Sequence, residues 1–392
     1  MKKKLTLSYA LQQVFLWAQY GCLFSYANNY LTAQLDLSKS LAGIILGLAT
    51  GISFLLQPIL ATVIEKTGLN ARMLCLLGAF ANGISCLLAA LVPGGAVVFV
   101  AVASVTLQIL PSFSNAMGME AMRNGWEINF AFARGVGSVA FGVSAKVIGS
   151  LTTAYGYQIV VLAGFAIAAL FFIMTLSLPK TDKEESGTPI EKLQGNLFRR
   201  EPRLALLILA SILLYVGHNA LCNCMLYVAK SKLPTELIHK AESLQGSALL
   251  IAAVAELPAM FFFTKLLKKV RCDIWLCLSC CFMTLKLLLT WVLPGEMGLL
   301  LAQTAQLGGY ALYAVASVYY VGTVVRKEDV VKGQTYLGAS NTLGCLIAYV
   351  VGGVLCDAMG TDAMLATCLS LSIIGTILLF FARQRVDQTV GV

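Results

Sequence analysis

Five ionisable side chains stand inside long apolar stretches: Glu120, Arg134, Lys146, Glu256 and Lys286. A charge at the centre of a membrane helix costs about 2.5–3.5 kcal/mol on insertion scales, so each needs a compensating role. Glu120 and Arg134 flank a short connection, which makes their helices antiparallel neighbours and brings a carboxylate within reach of a guanidinium. A guanidinium has five donors in a rigid fork, so a paired Arg134 keeps donors for a ligand. The pair either pins two helices or binds a solute. Glu256 has no basic residue within two turns. A carboxyl so placed is suited to exchanging a proton, with Lys286 as a candidate partner. Phe141, two turns beyond Arg134, either stacks on a solute or packs in the interior. Lys146 reads as a side chain that snorkels to the interface. Asn28, Asn29, Gln57, His218, Asn219, Gln303, Gln306 and Asn341 are neutral polar groups that can bond a solute hydroxyl or a neighbouring helix.

The elements holding these residues follow from composition. Of 392 residues, 58% are hydrophobic and 12% charged, against roughly 25% charged in a soluble domain. Such a chain cannot cover itself with polar surface. Apolar runs long enough to cross a hydrocarbon core recur throughout, too continuous for alternating barrel strands. The spacing predicts helices over about 7–32, 40–63, 72–91, 96–121, 129–152 and 158–178, then 204–229, 242–266, 273–293, 298–324, 333–356 and 363–383. The expected fold is therefore an all-α membrane protein of twelve transmembrane helices in two six-helix bundles, 1–179 and 204–392. Between them, 180–203 is a polar linker with a short helix near Pro189–Leu193. The apolar run after Lys2–Lys4 extends to about Leu31, too long for a signal-peptide core, and reads as the first membrane helix.

Basic residues give the topology. Of 28 Lys and Arg, 21 fall at the termini and even-numbered connections; Lys39, Lys230, Lys232 and Lys240 fall on the other face. That bias puts both termini in the cytoplasm, in a cell inner membrane. The net charge of +9 is thus a topology signal and implies no nucleic-acid partner. The halves also repeat. Gly149-Ser-Leu151-Thr-Thr-Ala154-Tyr-Gly156 matches Gly353-Val-Leu355-Cys-Asp-Ala358-Met-Gly360, and Pro58 matches Pro258 at nearly the same offset. Two repeats with a site between them near the midplane is the plan of many secondary transporters. The twelve cysteines are scattered through apolar segments and read as free thiols. No metal-ligand spacing, nucleophile–base pair or phosphate loop is visible, so neither a metal, a cofactor nor an enzyme activity is expected.

Several stretches carry a family resemblance. Leu37-Ser-Lys-Ser40, Gly43-Ile-Ile, Leu56-Gln-Pro58 and Glu65-Lys-Thr-Gly68 resemble the helix-two region of the lactose permease and oligosaccharide:proton symporter family, within the major facilitator superfamily. Phe130-Ala-Phe-Ala-Arg134-Gly-Val-Gly-Ser138-Val-Ala-Phe141-Gly142 is similar to that family's helix-five signature. Met119-Glu-Ala121, Ala255-Glu-Leu257 and Lys286 fall where it has two acidic motifs and a basic residue. The resemblance implies sugar binding by Glu120 and Arg134, stacking on Phe141 and a contribution from Glu256. It also places Gln306 and Gly309 where the lactose permease pattern has a His and a Glu, Asn219 and Cys222 where helix seven has an acidic pair, and Gly344 where helix eleven has a Lys.

The expected protein is a monomeric transporter that imports a sugar or similar polyhydroxyl solute with a proton by alternating access. Its substrate-binding residues are Glu120, Arg134, Phe141, Glu256 and Asn219, and its proton-coupling residues Glu256, Glu120 and Lys286. A nucleoside or drug transporter of the same fold is the first alternative. A sensor or scramblase that moves no solute is the second.

Overall fold

The computed structural model describes residues 5–67, 70–180, 197–267, 269–325 and 330–383. Most of the linker, including the expected short helix, lies outside them, as do Lys2–Lys4, Lys268, Arg326, Lys327 and Arg385. The described residues are almost entirely helical. We label the runs α1 (Thr6–Gln19, a π turn Tyr20–Phe24, Ser25–Asn29 and a second π turn Tyr30–Gln34), α2 (Lys39–Thr67), α3 (Ala71–Leu91), α4 (Ala96–Arg123), α5 (Phe130–Tyr155) and α6 (Gln158–Ser177). They continue as α7 (Pro202–Asn223, then Met225–Lys232), α8 (Ala241–Leu267), α9 (Cys272–Val292), α10 (Gly295–Thr304, Ala305–Gly308 and Tyr310–Val324), α11 (Val330–Ala358) and α12 (Gly360–Ala382). Among the described residues, nine helices are long and apolar enough to cross a membrane. α1, α8 and α10 are the other long runs.

Local signals set the ends. Asn70 and Asn129 cap α3 and α5, each accepting a backbone N–H three residues on at 3.0 Å. Gly156 and Gly360, with φ of 81° and 84°, turn the chain just after α5 and at the first residue of α12. Pro58, Pro111 and Pro258 sit inside helices, which membrane helices tolerate because neighbours re-satisfy the freed carbonyls. The expected continuous helix over 298–324 is broken. Gly308 and Gly309 are poor helix formers in succession, and the chain passes through a tight turn with ψ −116° at Gly309. The Phe282 ring lies against Gly308 and leaves no room there for a Cβ, which would come within 2.7 Å of it.

The chain divides into two compact units, Met1–Glu185 with Leu233–Val254 and Ser186–Lys232 with Ala255–Val392. α8 begins in the first and continues in the second. Neighbours repeat: α1 packs on α5 and α6, and α3 on α4 and α6, in the first unit; α7 packs on α11 and α12, and α9 on α10 and α12, in the second. The first core gathers Leu16, Leu74, Cys75, Leu110, Phe113 and Phe171. The second is built around Leu207, Leu214, Leu276, Cys280, Tyr313 and Ala316. Polar ties match too. Arg72 at the start of α3 donates to the last carbonyls of α6, Thr175 at 3.2 Å and Leu176 at 2.8 Å. At the start of α9, buried Asp273 accepts from Arg271 and from Arg383 just after α12, at 2.6 and 2.7 Å. Leu48, Ile52, Leu55 and Ile59 keep one stripe of α2 exposed, as do Ile373, Ile377 and Phe380 on α12. Those faces need lipid, and the chain is a multi-pass membrane protein.

α1, α5 and the first turns of α8 meet closely in the first unit. Tyr26 donates to Ala145 O at 2.8 Å, and Asn29 to Gln245 Oε1 at 2.7 Å. Tyr157 donates to the Glu242 carboxylate. The Lys146 ammonium donates to Ser243 Oγ at 2.9 Å and Ser243 O at 3.2 Å, in the first turn of α8. Gly149 and Gly246 permit the approach, since a Cβ on Gly246 would stand 2.6 Å from Ala145 O.

Candidate functional site

In the second unit the break in α10 positions the chemistry. Gln306 lies in the 3-10 turn just before Gly309 and is 4% exposed. Its Nε2 donates to Glu256 Oε1 at 2.7 Å, and its Oε1 accepts from Lys286 Nζ at 2.9 Å. α8, α9 and α10 thus deliver a carboxylate, an amide and an ammonium into one bonded chain. Lys286 is 3% exposed, and a buried ammonium stripped of its partner costs about 3–5 kcal/mol. The sequence suggests a direct Glu256–Lys286 pairing; the amide bridges them instead. Beside the break, the His218 ring stacks on Tyr310 with centroids 4.5 Å apart. Asn219 donates to Asn341 Oδ1 at 3.4 Å. Gln306→Leu severs both bonds of the bridge, so it should lower folding stability by about 3 kcal/mol. A melting curve of purified protein checks this; an unshifted midpoint would show that the bridge adds nothing.

In the first unit, α5 presents Arg134 in its second turn. Nη1 donates to Ser138 Oγ at 3.0 Å, and the guanidinium carbon lies 3.8 Å from the centre of the Trp17 ring on α1. Trp17 Nε1 donates to Gln13 Oε1 at 3.0 Å, and Gln13 Nε2 to Ser114 Oγ on α4 at 2.7 Å. Glu120 is half-buried in the last turn of α4, where its carbonyl accepts from Asn124. Phe141 is half-buried, with its backbone carbonyl against Gly21 of α1.

The sequence-derived residues therefore fall into two groups. Glu256 and Lys286 are joined through Gln306, with Asn219 also in that unit; Arg134, Glu120 and Phe141 lie in the other. Trp17 escaped sequence reasoning, because one more aromatic in an apolar helix carries no mark of its own. Two neighbours could have marked it: Gln13 one turn earlier, and Gly137 three residues after Arg134, where a Cβ would run into the indole.

Solved structures share this architecture. An aspartate-to-alanine mutant of the nucleoside transporter NupG is 17% identical, with TM-score 0.79, covering 97% of this chain and 100% of its own. A structure of NupG itself is 17% identical, with TM-score 0.77 and coverage of 96% and 97%. A glutamate-to-glutamine mutant of the peptide transporter POT is 11% identical, with TM-score 0.74 and coverage of 96% and 93%. At these identities the likeness is one of fold. No curated protein matches the chain in sequence. Residues 6–388 match the MFS_1 like family, and with the helical architecture this makes the chain a membrane transporter of small solutes that belongs to that family.

Proposed function

We propose that the protein imports a sugar or similar polyhydroxyl solute together with a proton, by alternating access. The observation that carries this reading is the Glu256–Gln306–Lys286 chain at the broken helix. A carboxylate held by a neutral amide takes up and releases a proton while the nearby ammonium keeps its own bond. Discontinuous helices that expose backbone groups at membrane depth are where transporters bind solute and coupling ion. Arg134 is the solute-binding cation, with Glu120 and Phe141 as the further solute-binding residues of its unit; Asn219 and Glu256 are those of the other unit. The chain works as a monomer of twelve crossing helices in the inner membrane, in two six-helix halves with cytoplasmic termini.

The test is uptake into proteoliposomes of labelled mono- and disaccharides and nucleosides, with an inward proton gradient on or off. Gradient-driven accumulation of a sugar supports the reading. Accumulation of a nucleoside instead, the solute class named for NupG, would move the substrate and leave the coupling. Glu256→Gln keeps the shape of the side chain and removes its charge. It is expected to abolish accumulation against a gradient while exchange continues; unchanged concentrative uptake would free Glu256 of the coupling role.

A further inference from the structure

We propose that Trp17 is the residue that positions Arg134, and that Trp17, Tyr20 and Phe24 form the surface on which a ring of the solute stacks. This rests on the reading of Arg134 as the solute-binding cation.

The Trp17 ring is fixed on two sides. Its Nε1 is bonded to Gln13, which is held in turn by Ser114. Its pyrrole edge, Cδ1 with Cγ and Nε1, packs against α5 at Gly137, where any side chain would collide with it. The guanidinium of Arg134 rests on the indole at 3.8 Å and donates to Ser138. Stacking engages the face of a guanidinium and uses none of its N–H donors. Trp17 therefore sets the plane of the fork without competing for the bonds a solute would take.

The indole continues into a row of rings. Trp17 and Tyr20 have centroids 5.1 Å apart, and Tyr20 and Phe24 5.5 Å. All three are half-buried, while Gly21, Cys22 and Leu23 between them are fully buried. The first π turn of α1 spans Tyr20–Phe24, and such turns are frequent at functional sites. Rings in a row beside an oriented guanidinium suit a flat solute with an apolar face and acceptors at its edge. A pyranose and a nucleobase share that chemistry.

The experiment compares Trp17→Ala, Trp17→Leu and Trp17→Phe in full-length protein reconstituted at equal density. The probes are a p-nitrophenyl galactopyranoside for the pyranose and uridine for the base. We expect Trp17→Ala and Trp17→Leu to raise the apparent KM for the transported probe about tenfold with little change in Vmax, and Trp17→Phe to recover most of it. Equal behaviour of the Leu and Phe variants would reduce Trp17 to packing and overturn the proposal, as would a wild-type KM for Trp17→Ala. Transport of neither probe by the wild type would overturn the solute class. Arg134→Ala is run alongside. If that variant transports normally, the reading of Arg134 fails; if it is inactive while all Trp17 variants are normal, only the inference about Trp17 fails.

Discussion

Arg134→Ala is expected to cut solute uptake by about 100-fold or more while the protein still inserts and purifies. A hydrogen bond to a charged group contributes about 1.5–3 kcal/mol, and a guanidinium fork makes two at once. Losing both removes at least about 3 kcal/mol of solute binding, which is more than a factor of 100. The contacts of the side chain include a serine hydroxyl and an indole face, and a melting curve of the variant checks that the fold holds. Arg134→Lys keeps the charge and loses the planar fork, and should recover only a small part. Initial uptake rates in proteoliposomes, normalised to reconstituted protein, decide it. A variant within about threefold of wild type would remove Arg134 from the solute site.

A large loss of stability is also expected at Gly21. A Cβ there would collide with the backbone carbonyl of Phe141 and stand 3.0 Å from both Ala145 N and Ser144 Cβ. Two of those atoms are α5 backbone and cannot rotate aside, so α1 and α5 must part. Overpacking of this kind costs about 1–3 kcal/mol, and parting the helices also disturbs the Tyr26–Ala145 bond one turn on. Gly21→Ala should therefore lower the melting temperature in detergent and the folded yield. Gly94→Ala is the matched control, because nothing lies within 4 Å of its would-be Cβ. Equal melting of the two variants would show that the α1–α5 contact yields easily.

The fold was open to sequence reasoning because lipid imposes a simple rule. Every backbone group must be satisfied within its own helix, so length and hydropathy alone locate helices. The Gly-x-Leu repeat and the paired prolines point to duplication; the α1–α5, α1–α6 and α3–α6 contacts have counterparts in α7–α11, α7–α12 and α9–α12, whereas among the described residues the α2–α4 contact has none of like extent at α8. Departures from regular helix were less visible. Gly308-Gly309 stands out in the sequence, yet glycine is common in membrane helices and does not by itself mark a break. The π turns left no mark, since the same residues suit an α-helix. In the candidate site, ionisable residues stood out because each is costly in an apolar run. Their partners did not. That Gln306 joins Glu256 to Lys286, and that Lys146 reaches Ser243, depends on how the helices are rotated about their axes. No single-helix pattern contains that information.

The two π turns of α1 also give it slack in residue count. A π turn is an α-helix carrying one residue too many, whereas each residue of a regular α-helix turns the chain by about 100°. Deleting one residue of Tyr20–Phe24 would remove the extra residue and restore regular winding, so Tyr26 and Asn29 would keep facing Ala145 and Gln245. A deletion in the regular run Thr6–Gln19 has no extra residue to remove and would swing the two parts of α1 by about 100° relative to each other. The count of residues between Gln13 and Trp17 is therefore fixed, while Tyr20–Phe24 has room for one change.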